Sequence, residues 1–361
     1  MEILTSNPDS VRATSADWRE RLKTAIRDVD QLKACLQLPP STDPRVRQAE
    51  QEFGTFAPWD YISRIERGNP VDPLLLQILP VADEVIHSPG FVRDPLNEFS
   101  DCVPIGGDHR NDTADFSAAS ASSTTRSILT KYAGRALIVL TGTCAIHCRY
   151  CFRRHYPYGD IAKSREAWGA ALDMAARDPQ IRELILSGGD PLTLVDEQLD
   201  WFLQQTTKIP QLERIRIHTR LPLVIPQRIT TNLCAALENA GLPLAFVWHI
   251  NHPREIDDLV RAAAARLKAV PNVTQLNQSV LLRGINDSVT TLAALSERLF
   301  DMGVVPYYLH QLDRVQGAAH FEVPWETGVS LIHALRAMLP GYLVPRFVIE
   351  TPGAASKTVL A

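Results

Sequence analysis

Three cysteines, Cys144, Cys148 and Cys151, stand close together in the run TGTCAIHCRYCFRR, with three and then two residues between them. Thiolates at such spacing on one loop can turn toward a single point, as ligation of an iron–sulfur cluster requires. Three protein ligands on a four-iron cluster leave one iron open to an exchangeable group, and that iron is where chemistry would occur. The alternative is a structural zinc site closed by His147 or His155, since zinc prefers four-coordinate shells. Zinc motifs usually pair two separated cysteine knuckles, whereas the other cysteines here, Cys35, Cys102 and Cys234, are scattered. A disulfide framework would spread its cysteines more evenly along a shorter, secreted chain.

A second reactive group is Lys357, in TPGAASKT near the C-terminus. A lysine held by a loop of small residues can carry pyridoxal phosphate covalently, because bulk nearby would obstruct the cofactor. Alone, a lysine so placed is ordinarily a solvated charge. The Ser187-Gly188-Gly189-Asp190 run ends an apolar stretch and reads equally as a turn or as a backbone cradle. His249 and His252, in WHINHP, could serve as ligands or sit buried and hydrogen-bonded.

These groups need a scaffold. From residue 127 onward, short apolar runs (RALIVLTG, ELILSGG, RIRIHT, LAFVWHI, VTQLNQSVLL, VVPYYLH) alternate with helix-like segments. That rhythm predicts a parallel sheet covered by helices, with reactive groups at the carboxyl ends of its strands. Six such units are too few for a closed eight-fold barrel and predict a partial (β/α)6 barrel over 127–361. Residues 17–37 place apolar side chains at helical spacing behind Asp17 as N-cap, within a mainly helical segment over 1–106. The polar, aperiodic stretch 107–126 reads as a flexible loop or linker.

The composition, 45% apolar and 22% charged, suits a folded protein with a sizeable core. A net charge of -4 gives no broad attraction to phosphate backbones, so nucleic acid is not the expected partner. The N-terminus MEILTSNPDS has no basic start or apolar stretch, and no apolar run is long enough to span a bilayer. A cytoplasmic protein without membrane contact is expected.

From about residue 130 to the end, roughly two thirds of the chain, the sequence resembles the lysine 2,3-aminomutase family of radical S-adenosylmethionine enzymes. The shared runs are CRYCFRRHYPY, LSGGDPL, TRLPLVIPQRIT, HINHP, NQSVLLRGIND, PYYLHQLDRVQGAAHF and the lysine loop. WRERL and RIERGNPVDPLLLQ in the N-terminal part resemble the branch that serves β-lysylation of bacterial elongation factor P. The chain stops four residues after Lys357, where free-lysine aminomutases continue into a cysteine-bearing tail, which fits that branch.

The resemblance implies a [4Fe-4S] cluster on Cys144, Cys148 and Cys151, with Tyr150 as the aromatic residue before the last ligand. It implies S-adenosylmethionine on the open iron, its amino group against Ser187, Gly188, Gly189 and Asp190, its nucleoside near Gln278, and His249 in the same pocket. Pyridoxal phosphate would be borne by Lys357, its phosphate held by Tyr132 and Arg135 with Lys131 beside them; a guanidinium suits phosphate because it donates two parallel hydrogen bonds. Arg153 matches the residue for the substrate carboxylate, and Asp313 and Glu350 match the acidic pair for its distal ammonium. Glu350 replaces the family's shorter aspartate. The implied reaction turns L-α-lysine into (R)-β-lysine by hydrogen abstraction, with a reducing electron donor and a partner ligase acting on elongation factor P. The rivals are a metabolic free-lysine or glutamate aminomutase and a non-catalytic zinc-binding adaptor.

Overall fold

A computed structural model describes residues 17–98, 128–161 and 163–361. The stretch expected to be a linker, 107–126, lies outside the described residues, as does Cys102.

Nine strands form one sheet in simple chain order: β1 (Ile128–Tyr132), β2 (Arg135–Thr141), β3 (Glu183–Gly188), β4 (Arg214–Thr219), β5 (Leu244–Trp248), β6 (Val273–Val280), β7 (Val305–His310), β8 (Arg346–Ile349) and β9 (Thr358–Val359). Strands β2 to β8 run parallel, while β1 and β9 add antiparallel hairpins at the two edges. Every strand expected from sequence is present. Strands β2 to β7 are each followed by a crossover helix: α4 (Arg165–Arg177), α5 (Asp196–Thr206), α6 (Thr231–Asn239), α7 (Asp258–Lys268), α8 (Val289–Asp301) and α9 (Trp325–Met338). These are the six units of the expected partial barrel, closed off by β8 as a further parallel strand.

The pleat sorts side chains by face. Ile138, Leu186, Ile217 and Phe246 are paired across adjacent strands, fully buried, and belong to the main core beneath the helices. Their alternate neighbours Leu137, Ile185, Arg216, His218 and Val247 line the concave side. RIRIHT is therefore an alternating strand, isoleucines outward and Arg216 and His218 inward, because the inner face holds a polar cavity. Side chains from both edge hairpins, Leu129 on β1 and Val359 on β9, reach that same cavity, so the open sheet curls around it.

Ahead of the sheet lie α1 (Trp18–Lys23), α2 (Val29–Cys35) and α3 (Pro44–Glu52), N-capped by Asp17, Asp28 and Asp43. The single helix expected over 17–37 is thus two. Ile26 exchanges both backbone hydrogen bonds, each 2.9 Å, with Ala57, and Asp28 restarts the helix by accepting from Gln31 N–H. A tertiary bridge overrides the local period. Trp18, Val29 and Leu32 share one core with the sheet's outer face, so this segment is packed onto the barrel.

The N-terminal segment also braces the cysteine loop. Gln77 and Phe56 carbonyls accept from Arg149 and His147 N–H at 2.9 and 3.0 Å. The fully buried guanidinium of Arg149 donates to Glu84 at 2.8 and 2.6 Å, and Arg154 donates to the same carboxylate at 2.7 Å. Two buried cations flanking Cys151 thus share one buried carboxylate, which offsets one of their two charges. Removing one partner of a buried pair leaves an uncompensated charge. Glu84→Ala is expected to destabilise the fold by about 3–5 kcal/mol, read as a lower denaturant midpoint; an unchanged midpoint would show that water or another group neutralises the pair.

Among the described residues no helix is long and apolar enough to cross a membrane.

Candidate active site

The concave face encloses a cavity of about 600 Å³ at the carboxyl ends of the strands. Every residue singled out from sequence as a cluster, cofactor or substrate contact lines it. Residues from the β1 hairpin to the β9 hairpin therefore meet in one space.

The three cysteines follow β2 on a loop gripped from two sides. Gly189 N–H and Asp190 N–H donate at 2.8 Å to the carbonyls of Thr141 and Thr143. A Cβ on Gly189 would stand 2.5 Å from the Thr143 carbonyl oxygen, and one on Gly188, at φ +133, would collide with that of Thr141. Only glycine lets the β3 end approach the cysteine loop so closely. Cys144, Cys148 and Cys151 are free thiols, each half-buried. His147 Nδ1 is 2.7 Å from the Gly54 carbonyl and its ring stacks on Phe53, while His155 Nε2 is 3.2 Å from the Gln316 carbonyl. Neither histidine completes a zinc shell. Among the described residues no three His, Cys, Asp or Glu side chains converge tightly enough to hold a single metal ion. Thiolates on separate irons of a cluster stand further apart than ligands of one ion, so a cluster does not require such convergence. Burial, with the neighbouring cysteines' charge next, raises the Cys144 thiol well above its ordinary pKa and Cys151 to about 12. Ionised together here they need a cationic core, which iron supplies.

Asp190 works as a tie. Its carboxylate accepts from Thr219 Oγ1–H at 2.8 and 3.0 Å and from the backbone N–H of Leu192, Arg220 and Leu221 at 3.0, 2.7 and 2.9 Å. It joins the ends of β3 and β4. The side chain is thereby occupied, while Ser187, Gly188 and Gly189 line the cavity beside it.

His249 is also engaged. Burial, then the positive charge of Arg220, lowers it to about 3, so the ring is neutral. Tyr150 Oη receives N–H groups from Arg220 at 2.8 Å and Asn251 at 2.7 Å, so its own hydrogen goes to His249 Nε2, 2.8 Å away. Nδ1–H then donates to the Gln278 carbonyl at 3.0 Å. His252 accepts from Arg254 N–H at 3.1 Å and caps a short turn outside the cavity lining.

The opposite wall is a string of charges. Strands β8 and β9 form a hairpin in which Ile349 faces Thr358, and Gly353 turns the chain at φ +76. That register brings Lys357 back beside Glu350, to which its ammonium donates. Glu350 also accepts from Lys131 at 3.2 Å, Lys131 pairs with Glu98 at 2.9 Å, and Glu98 holds the Arg153 fork at 2.6 and 2.9 Å. Arg153 donates on to Ser187 Oγ at 2.9 Å. Burial would raise Glu350, but the charges of Lys357 and Lys131 hold it down to about 2. Asp313 is raised to about 7 by burial and then by the negative charge of Glu350.

Several polar atoms in the lining are buried without a hydrogen-bond partner: Gln278 Nε2, His218 Nε2 and His310 Nε2. Buried polar groups are nearly always satisfied, so these atoms await a polar ligand. Arg135 lies across the hairpin from Tyr132, its guanidinium 5.4 Å from the ring. Lys131, Tyr132 and Arg135 thus gather on one hairpin, a donor set that suits a phosphate. Glu98, Arg220, His218 and His310 were not foreseen; the inward half of RIRIHT was the available signal for His218, and nothing local marks Glu98.

The family model described as the Radical SAM superfamily matches residues 138–288. A protein of Escherichia coli (strain K12) named L-lysine 2,3-aminomutase is 44% identical over 345 residues, spanning 95% of this chain and 94% of its own. One of the same name from Haemophilus influenzae is 42% identical over 362 residues, covering 100% of both. The Clostridium subterminale protein of that name is 34% identical over 343 residues, 95% of this chain and 77% of its own. The matches imply an isomerase with a [4Fe-4S] cluster, S-adenosylmethionine and pyridoxal phosphate as cofactors. With a curled sheet, a cysteine loop at its first parallel strand and this extent of identity, the chain belongs to the lysine 2,3-aminomutase family of radical S-adenosylmethionine enzymes.

Proposed function

We propose that this aminomutase acts on lysine held by pyridoxal phosphate on Lys357, releases (R)-β-lysine, and supplies it to a partner ligase that modifies elongation factor P. The observation that carries the reading is the convergence of the cysteine loop, the SGGD backbone, the β1 hairpin and the Lys357 hairpin on one cavity. The likeness of WRERL and RIERGNPVDPLLLQ to the elongation factor P branch supports the destination of the product. Identity is also higher to the two relatives covered over 94% and 100% of their length than to the clostridial protein covered over 77%.

When bound, the cluster with S-adenosylmethionine supplies a hydrogen-abstracting radical, and pyridoxal phosphate supplies the carbonyl carbon that carries the migrating amino group. In this reading Cys144, Cys148 and Cys151 hold the cluster, and Ser187, Gly188, Gly189 and Gln278 border the nucleoside side. Tyr132 and Arg135, with Lys131, hold the phosphate end, and Lys357 binds the carbonyl carbon until substrate takes its place. Arg153 receives the substrate carboxylate; since Glu98 fills its fork here, the two carboxylates exchange or share it. Glu350 already binds two ammonium groups, and Asp313 adds a second acid, so the pocket favours a cationic side chain over that of glutamate. Leu129, Leu137, Ile185 and Val247 give the cavity apolar walls that keep water from a radical.

Borohydride treatment of the pyridoxal phosphate-loaded enzyme is expected to fix the cofactor on the Lys357 peptide, detected by mass spectrometry. Lys357→Ala should lose both that adduct and turnover while keeping its cluster absorbance; unchanged turnover would overturn the assignment. A second expectation concerns pH. Asp313 must be ionised to hold an ammonium, and burial, then the negative charge of Glu350, places its pKa at about 7. Below that value kcat/KM for lysine should fall by about tenfold per pH unit, and Asp313→Asn should remove this limb while raising KM by roughly 10- to 100-fold, the loss of one charge-assisted contact. A wild-type profile flat through this range would contradict the role.

A further inference from the structure

Arg220, the residue after β4, has all its reach spent in one buried spot. One terminal nitrogen donates to Cys148 Sγ at 2.7 Å and to Tyr150 Oη at 2.8 Å. The other donates to Gln77 Oε1 at 2.6 Å, Glu255 Oε2 at 3.0 Å and Tyr61 Oη at 3.4 Å. Its backbone N–H is held by Asp190. The residue is 5% exposed and lines the cavity, and its Nε–H is buried without an acceptor. A guanidinium is always charged and presents five donors in a rigid plane.

We propose that Arg220 is a positioning residue that raises the reduction potential of the cluster through its hydrogen bond and charge at the Cys148 sulfur. The inference rests on the cluster assignment above. Reduction adds an electron to sulfur-ligated iron, and a fixed cation and N–H donor at a ligand sulfur stabilise that added charge; hydrogen bonds to sulfur and net charge are the protein's levers on such potentials. Glu255, fully buried, offsets part of the cation, while Gln77 and Tyr61 hold the plane in place without charge. The same guanidinium contacts Tyr150, the aromatic residue between the ligands, so the N-terminal segment, the β4 end and the cysteine loop are referred to one point.

The test is an EPR-monitored redox titration of the reconstituted full chain, comparing wild type with Arg220→Gln, Arg220→Lys and Glu255→Gln at matched iron and sulfide content. Arg220→Gln should be reduced at least tenfold less at a given solution potential, a fall of about 59 mV or more for a one-electron couple. Arg220→Lys, which keeps the charge and loses the fork, should recover part of that shift. Glu255→Gln should shift upward, and it decides the matter if the Arg220→Gln protein does not load. Equal midpoints across loaded variants would overturn the inference and leave the cluster standing; a wild type with no cluster signal would overturn the cluster assignment itself.

Discussion

Charge pairing inside a curled sheet is the constraint on which the rest depends. Lys357, Glu350, Lys131, Glu98 and Arg153 alternate in sign across the cavity, each within reach of the next. Isolated buried charges are too costly to keep, so a site that must receive an ammonium, a carboxylate and a phosphate stays folded only if its own groups satisfy one another first. The string also crosses the opening of the sheet: Lys131 on β1 reaches Glu350 beyond β8, linking the two ends of an unclosed barrel. In the function proposed above, ligands would enter by exchanging places with internal partners, carboxylate for Glu98 and cation for Lys357.

The second organising feature is close approach. Two glycines at the end of β3 let backbone touch backbone beside the cysteine loop, and Asp190 ties that junction to the start of the next turn. From the other side the N-terminal segment presses Gln77, Glu84 and Tyr61 against Arg149 and Arg220. A loop bearing three thiols is thereby fixed by packing on both flanks, which preorganises ligands for a cluster. The helical N-terminal segment is part of the catalytic scaffold.

What the sequence reveals depends on whether the signal is local. The cysteine spacing declares itself within a few letters, the SGGD run and the small-residue loop around Lys357 take their meaning from the family resemblance, and six parallel strands follow from their apolar runs. Strands β8 and β9 are too short to show a period; β8 is held by β7 on one side, and a hairpin pairs β9 to it on the other. The break at Ile26 comes from pairing with Ala57, a partner that no local pattern names. Likewise Glu98 to Arg153, Glu84 to Arg149 and Arg220 to Cys148 join positions far apart in the chain, so their meaning appears only when the fold brings them together. Asp190 and His249 line the cavity, yet their polar atoms are committed to holding its walls.

The most direct measurement is anaerobic incubation of the reconstituted, reduced enzyme with S-adenosylmethionine, pyridoxal phosphate and L-lysine, followed by chiral chromatography of the amino acids. The account predicts accumulation of (R)-β-lysine that requires all three cofactors. Cleavage of S-adenosylmethionine without β-lysine, or formation of the (S) product, would contradict the substrate and branch assignments; a fully loaded cluster that leaves S-adenosylmethionine intact would contradict the radical chemistry itself.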